Sequence, residues 1–244
     1  MSSLTVITYW WTDADNKHVG KEWYGPDDVR RLQRQVSSNL SSQHEFAVIT
    51  DRPELFEDDA DIRAIPIDYG THVSGRCYVR LMTFHPDGAR MIGQKVLQLD
   101  LDTIIVGSLD SIASRTADLV LWRNPARIPW ENPEKPGRPY YNTSFVLHRC
   151  GTMPELWSKF DPQVHPMTIR DDQWWLADQL GADVPYVDGS DGVYRLAREE
   201  DKRTGVWGET LPDNARIITF PGSNGKPNDP HIRAENPWIE GFLS

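Results

Sequence analysis

Short apolar runs separated by polar turns recur along the chain. Leu4–Tyr9 is a continuous β-type run followed by polar residues, and it predicts a first strand. After Gly25 the order Pro26, Asp27, Asp28 places a proline and two acids where a helix begins. Val29, Leu32, Val36 and Leu40 then recur at helical spacing, so an amphipathic helix is expected to Asn39. Phe46–Thr50 predicts a second strand, Ile62–Ile67 a weaker third, and Arg76–Phe84 a helix. Lys95–Leu101 reads as the central strand and Asp118–Trp122 as another. Ser144–His148 follows as a strand, with helices at Pro154–Phe160 and Asp172–Leu180. Val184–Val187 and Arg216–Phe220 are expected to close the sheet, and the tail from Pro221 is rich in Gly, Pro and Asn.

The alternation of strands and helices in the first half predicts an α/β fold, a mostly parallel sheet with helices on its faces. Prolines at 125, 129, 133, 136 and 139 exclude helix and central strand from Asn124–Pro139. A loop of that length in a compact domain is commonly a lid or binding element. No internal repeat or linker divides the 244 residues, so a single domain over 1–244 is expected. Trp174 and Trp175 are adjacent on a helix and cannot both face the core. His148 lies in an apolar strand and reads as structural, and Asp171 as a helix cap.

The formal net charge of −10 argues against a surface built to bind polyanions. Two cysteines, Cys77 and Cys150, are too few for a disulfide framework. The amino terminus has no basic, apolar leader, and no apolar stretch approaches the ~20 residues of a membrane span. A cytoplasmic protein is the expectation.

The chemistry is concentrated where the central strand ends in Asp100 and Asp102. Side chains at i and i+2 of an extended strand share a side, so both carboxylates are expected to converge past the strand's carboxyl end. Open α/β sheets bind ligands there. Two such acids repel unless a cation lies between them, and a hard divalent ion that keeps places for phosphate oxygens suits the position.

The motif order resembles glycosyltransferases of the GT-A fold, family 8 and its phage or bacterial relatives. Tyr78-Val-Arg80-Leu precedes Lys95-Val-Leu-Gln-Leu-Asp100-Leu-Asp102-Thr-Ile-Ile-Val-Gly-Ser-Leu; Tyr141-Asn142-Thr-Ser-Phe-Val-Leu and Asp172-Gln173 follow. Ile218-Thr-Phe220-Pro-Gly222 with Lys226-Pro227 resembles the family's carboxyl-terminal element. The resemblance implies a Rossmann-like nucleotide-binding half (1–123) and an acceptor-side half (124–244). It implies Mn²⁺ or Mg²⁺ on Asp100 and Asp102, bridging the diphosphate of a nucleotide-sugar donor, UDP-linked. Arg80 would contact the donor and Lys226 its diphosphate. Asn142, Asp172 and Gln173 would line the donor sugar, while Thr8 and Tyr9 would lie under the base. A hexosyl group would pass, with retention, to an acceptor hydroxyl on a glycan, a small molecule or a modified nucleic acid.

Two departures stand out. Thr219 occupies the place where family members carry a metal-binding histidine, and Gly222 to Lys226 is one residue longer than the pattern. His231 is the candidate replacement ligand. Two other readings share the acids: a haloacid dehalogenase-type phosphatase, whose motif is also strand-Asp-x-Asp, and a non-catalytic nucleotide-sugar-binding protein.

Overall fold

A strand buried on both faces must be apolar on both, and this requirement divides the interior into layers. The structure, a computed structural model, describes residues 3–11, 24–67, 76–123, 141–169, 171–197, 205–220 and 225–243. β1 (Leu4–Tyr9) is buried along its length, and its alternate side chains feed two cores. Leu4 and Val6 pack with Val29, Leu32 and Val36 of α1 (Pro26–Asn39). Ile7 and Tyr9 pack on the other face with Tyr78, Val79, Leu81 and Met82. α1 begins as its sequence predicts: the Asp28 carboxylate accepts the Gly25 N–H at 2.9 Å, satisfying a donor the helix cannot.

The chain continues through β2 (His44–Thr50), β3 (Arg63–Pro66), a 3₁₀ segment (Arg76–Phe84), α2 (Gly88–Met91) and β4 (Lys95–Leu99). Then come β5 (Thr103–Ile105), α3 (Asp110–Ala113), β6 (Leu119–Arg123), β7 (Tyr141–Arg149), α4 (Glu155–Ser158), α5 (His165–Thr168) and α6 (Asp172–Leu180). β8 (Tyr186–Val187), β9 (Val193–Arg195), β10 (Ile217–Thr219) and α7 (Pro230–Glu235) complete the order. Seven strands form one sheet in the order β3-β2-β1-β4-β7-β6-β8. All neighbours run parallel except β7, which is antiparallel to both β4 and β6. The expected mostly parallel α/β sheet is therefore present.

Four local expectations change. The central strand stops at Leu99, and Asp100–Asp102 form a turn through which the chain leaves for a second sheet, β5-β10-β9. Arg216–Phe220 does not close the large sheet, because Ile217–Thr219 pair with Thr103–Ile105 in the small one. Arg76–Phe84 winds as 3₁₀ rather than α-helix. The tail folds: Ile232 of α7 and Ile239 of a 3₁₀ turn are buried against Ile104, Ile218 and Phe220 of the small sheet. Asn124–Pro139 lies outside the described residues. Among those described, no helix is long and apolar enough to cross a membrane.

Candidate active site

Parallel strands bring their carboxyl ends to one rim, and the reversed β7 brings its beginning to the same place. Leu99 at the end of β4 pairs with Phe145, so Asp100 emerges beside the first residues of β7. There the β6–β7 register breaks: Leu121 lies opposite Val146, but Trp122 lies opposite Asn142. Residues 143–145 bulge from that pairing, a device that re-aims side chains beside functional sites. The Asn142 side-chain oxygen accepts the Ser144 N–H at 2.8 Å, which holds the bulge in shape. Ser144 in turn donates its hydroxyl to Asp100 Oδ2 at 2.9 Å.

Arg80 projects from the 3₁₀ segment into this group. Its Nη2 lies 3.1 Å from both Asp100 oxygens, and Nη1 donates to Thr143 Oγ1 at 3.2 Å. Nη1 is also 3.6 Å from Asp172 Oδ2, so one guanidinium serves two acids. From beneath, the Tyr9 hydroxyl donates to the Arg80 carbonyl at 3.2 Å. Burial pushes the Asp100 carboxyl up to about 6; Arg80 pulls it down and neighbouring Asp102 adds to the rise.

Asp102 faces a different cation. Lys226 Nζ donates to its Oδ2 at 2.7 Å and lies 3.4 Å from the Phe220 carbonyl. The same ammonium is 5.4 Å from the centre of the Tyr24 ring. Burial, and then the Asp102 and Asp28 carboxylates, raise the Tyr24 phenol pKa. Several buried polar atoms in this region have no hydrogen-bond partner among the described residues: Asp102 Oδ1, both Asp172 oxygens, the Tyr24 hydroxyl and the Thr8 hydroxyl. Such atoms are costly, and their accumulation here makes the rim a candidate ligand site.

The turn itself is gripped by Arg31, a residue the sequence pattern did not single out. Buried on α1, it donates from Nη2 to the Leu101 carbonyl at 2.9 Å and from Nη1 to the Thr103 carbonyl at 3.2 Å. Asp28 lies 3.6 Å from the same guanidinium and accepts, at 3.4 Å, from the Asn228 amide beside Lys226. Gln35, one helical turn further on, accepts the Ile105 N–H at 3.1 Å. The signal in the sequence was two polar residues at i and i+4 beside the apolar stripe of α1.

The structure thus brings together Asp100, Asp102, Arg80, Asp172, Asn142 and Lys226. Thr8 is buried on the α1 side of β1, and Gln173 is half-buried next to Asp172 on α6. Asp171 is the cap of α6, accepting the Trp174 N–H at 3.0 Å, and of the tryptophan pair it is Trp175 that is buried. His231 lies on α7 with its side chain 77% exposed and Glu235 at 3.9 Å. Among the described residues no three His, Cys, Asp or Glu side chains gather as a metal site. The residues nevertheless fit a hard divalent cation held by two carboxylates. Asp102 offers an unpaired buried oxygen, and such an ion takes its remaining ligands from phosphate and water.

No protein-family model and no curated protein sequence matches the chain. Solved glycosyltransferases share its fold. LgtC, a galactosyltransferase crystallised with donor and acceptor sugar analogues, superposes with a TM-score of 0.62 at 16% identity, over 98% of this chain and 93% of its own. The glycosyltransferase GlyE of Streptococcus pneumoniae TIGR4 gives 0.65 at 12% identity, covering 100% of this chain and 61% of GlyE. The bifunctional WbbM gives 0.56 at 11%, over 99% of this chain and 51% of WbbM. At such identities the likeness shows the fold, the mixed α/β GT-A arrangement of a mostly parallel central sheet flanked by helices.

Proposed function

We propose that the protein transfers a hexosyl group from a nucleotide diphosphate sugar, UDP-linked, to an acceptor hydroxyl, with Mn²⁺ or Mg²⁺ at Asp100 and Asp102. One observation carries this reading: the Asp100–Asp102 turn past the end of central β4, with an unpaired buried oxygen and flanking Arg80 and Lys226. The shared fold with solved glycosyltransferases supports it. When bound, the cation supplies electrostatic neutralisation of the departing diphosphate. Lys226 adds a positive charge on the same side. Arg80 holds Asp100 and Asp172 in fixed relation, and Asp172, whose oxygens accept no hydrogen bond among the described residues, is the stronger candidate to grip donor-sugar hydroxyls alongside Gln173. Asn142 acts through the bulge that positions Ser144 and Asp100. Thr8 offers its unpaired hydroxyl beneath the nucleotide, while the Tyr9 hydroxyl is engaged with Arg80. Retention of configuration rests on the sequence resemblance.

The test is a panel of nucleotide sugars with Mn²⁺, following free nucleotide with and without candidate glycan or small-molecule acceptors. In parallel, UDP with Mn²⁺ should raise the melting temperature of the parent protein and leave Asp102→Ala unmoved. Equal protection of both proteins rejects the metal assignment. A second reading, a nucleotide-sugar-binding protein without turnover, is favoured by Thr219 and by the missing third ligand among the described residues. It predicts donor binding without nucleotide release from any member of the panel.

A further inference from the structure

Among the described residues, three carboxylates, Asp100, Asp102 and Asp172, share the cations Arg80 and Lys226 in this site. Arg80 reaches Asp100 and Asp172, so the counter-charge of Asp102 is Lys226, 2.7 Å away in a pair whose side chains are only 14–15% exposed. We infer that Lys226 is a built-in occupant of the cation position at Asp102, so that divalent metal and diphosphate bind as a coupled pair rather than separately. This inference rests on the proposed donor site.

The argument is electrostatic. A divalent ion arriving alone at Asp102 meets an ammonium already bonded to that carboxylate, and at this separation and burial the repulsion is poorly screened. A diphosphate arriving with the metal brings anionic oxygens that can receive the displaced ammonium. The lysine can make that exchange without moving the backbone. Pro227 beside it and Ile232 of α7 are buried, anchoring the segment, and a lysine carries its ammonium on a long stem of rotatable bonds. The Tyr24 ring 5.4 Å away offers a second face to the ammonium along its path. Because linkage is reciprocal, whatever Lys226 subtracts from binding of metal alone reappears as cooperativity between metal and diphosphate.

Mn²⁺ binding to the purified full chain tests this, measured by titration calorimetry or by the resonance signal of free Mn²⁺, with and without UDP. The parent should bind Mn²⁺ at least tenfold more tightly when UDP is present. Lys226→Gln and Lys226→Met should bind Mn²⁺ alone about tenfold more tightly than the parent, and Lys226→Arg, which keeps the charge, should not. Thermal melts confirm that each variant is folded. Equal or looser Mn²⁺ binding by the neutral variants, or equal tightening by the arginine variant, overturns the competition while leaving the cation site intact. No saturable Mn²⁺ binding by any protein, UDP included, overturns the donor-site reading itself.

Discussion

Asp100 and His148 are both buried and both shifted, and their effects on stability run in opposite directions with pH. The Asp100 carboxyl, pushed up to about 6 by burial against an unfolded value of about 3.9, takes a proton in the folded chain before the unfolded one. Its ionisation therefore costs stability above pH 6, and the cost fades as the pH falls toward 4. His148 is pushed down to about 4 by burial, and its ring Nε2 shares a 2.5 Å hydrogen bond with the Thr83 hydroxyl. The unfolded chain protonates that histidine from about pH 6.5 downward while the folded chain resists, so stability is lost on acidification. Asp100→Asn should thus remove this part of the pH dependence, so that its melting temperature relative to the parent's rises between pH 4 and pH 7. Calorimetric melts across that range check it; a difference between the two proteins that does not depend on pH would contradict the assignment. The two acids of the turn were legible because an apolar run ending in carboxylates is costly without a purpose. Their actual geometry was not, since residues two apart converge equally well from a strand and from a tight turn.

At the scale of elements, α1 was predicted to its ends from proline, acids and apolar spacing. What it does for the site was hidden in the residues flanking its apolar stripe. Arg31 and Gln35 look like solvent positions in sequence and acquire meaning only when β5 is placed against the helix. The same non-locality explains Arg216–Phe220: its strand character was plain, but its partner was set by where the Asp100–Asp102 turn sends the chain. Arg31→Lys keeps the charge but cannot reach two carbonyls with a fixed fork. It should lower the unfolding free energy by about 1–3 kcal/mol in urea denaturation and abolish protection by UDP with Mn²⁺ at concentrations that protect the parent. If protection survives unchanged, the helix does not hold the turn.

Over the whole molecule, two cores lie on the two faces of the large sheet and a third joins the small sheet to the carboxyl-terminal segment. The third was invisible in a tail dominated by Gly, Pro and Asn, because the apolar residues there show no clear period and part of their cluster, Ile104 of β5, lies over a hundred positions away. Gln35 ties that segment to α1 by donating to the Phe242 carbonyl at 2.6 Å. Ile239→Ala should therefore destabilise the protein by about 2–4 kcal/mol, with tryptophan fluorescence and circular dichroism reporting one shared transition. A separate early fluorescence transition would show that the segment unfolds independently.

The reversal of β7 within the large sheet has a lasting consequence for what the scaffold can become. Arg123 and Tyr141 are paired neighbours at the rim, so β6 ends and β7 begins at the mouth of the site. Evolution can lengthen, shorten or rewrite the chain between them while every hydrogen-bonded register behind it stays in place. Under the proposed sugar transfer, a change of acceptor would then need no renegotiation with the residues that handle the donor.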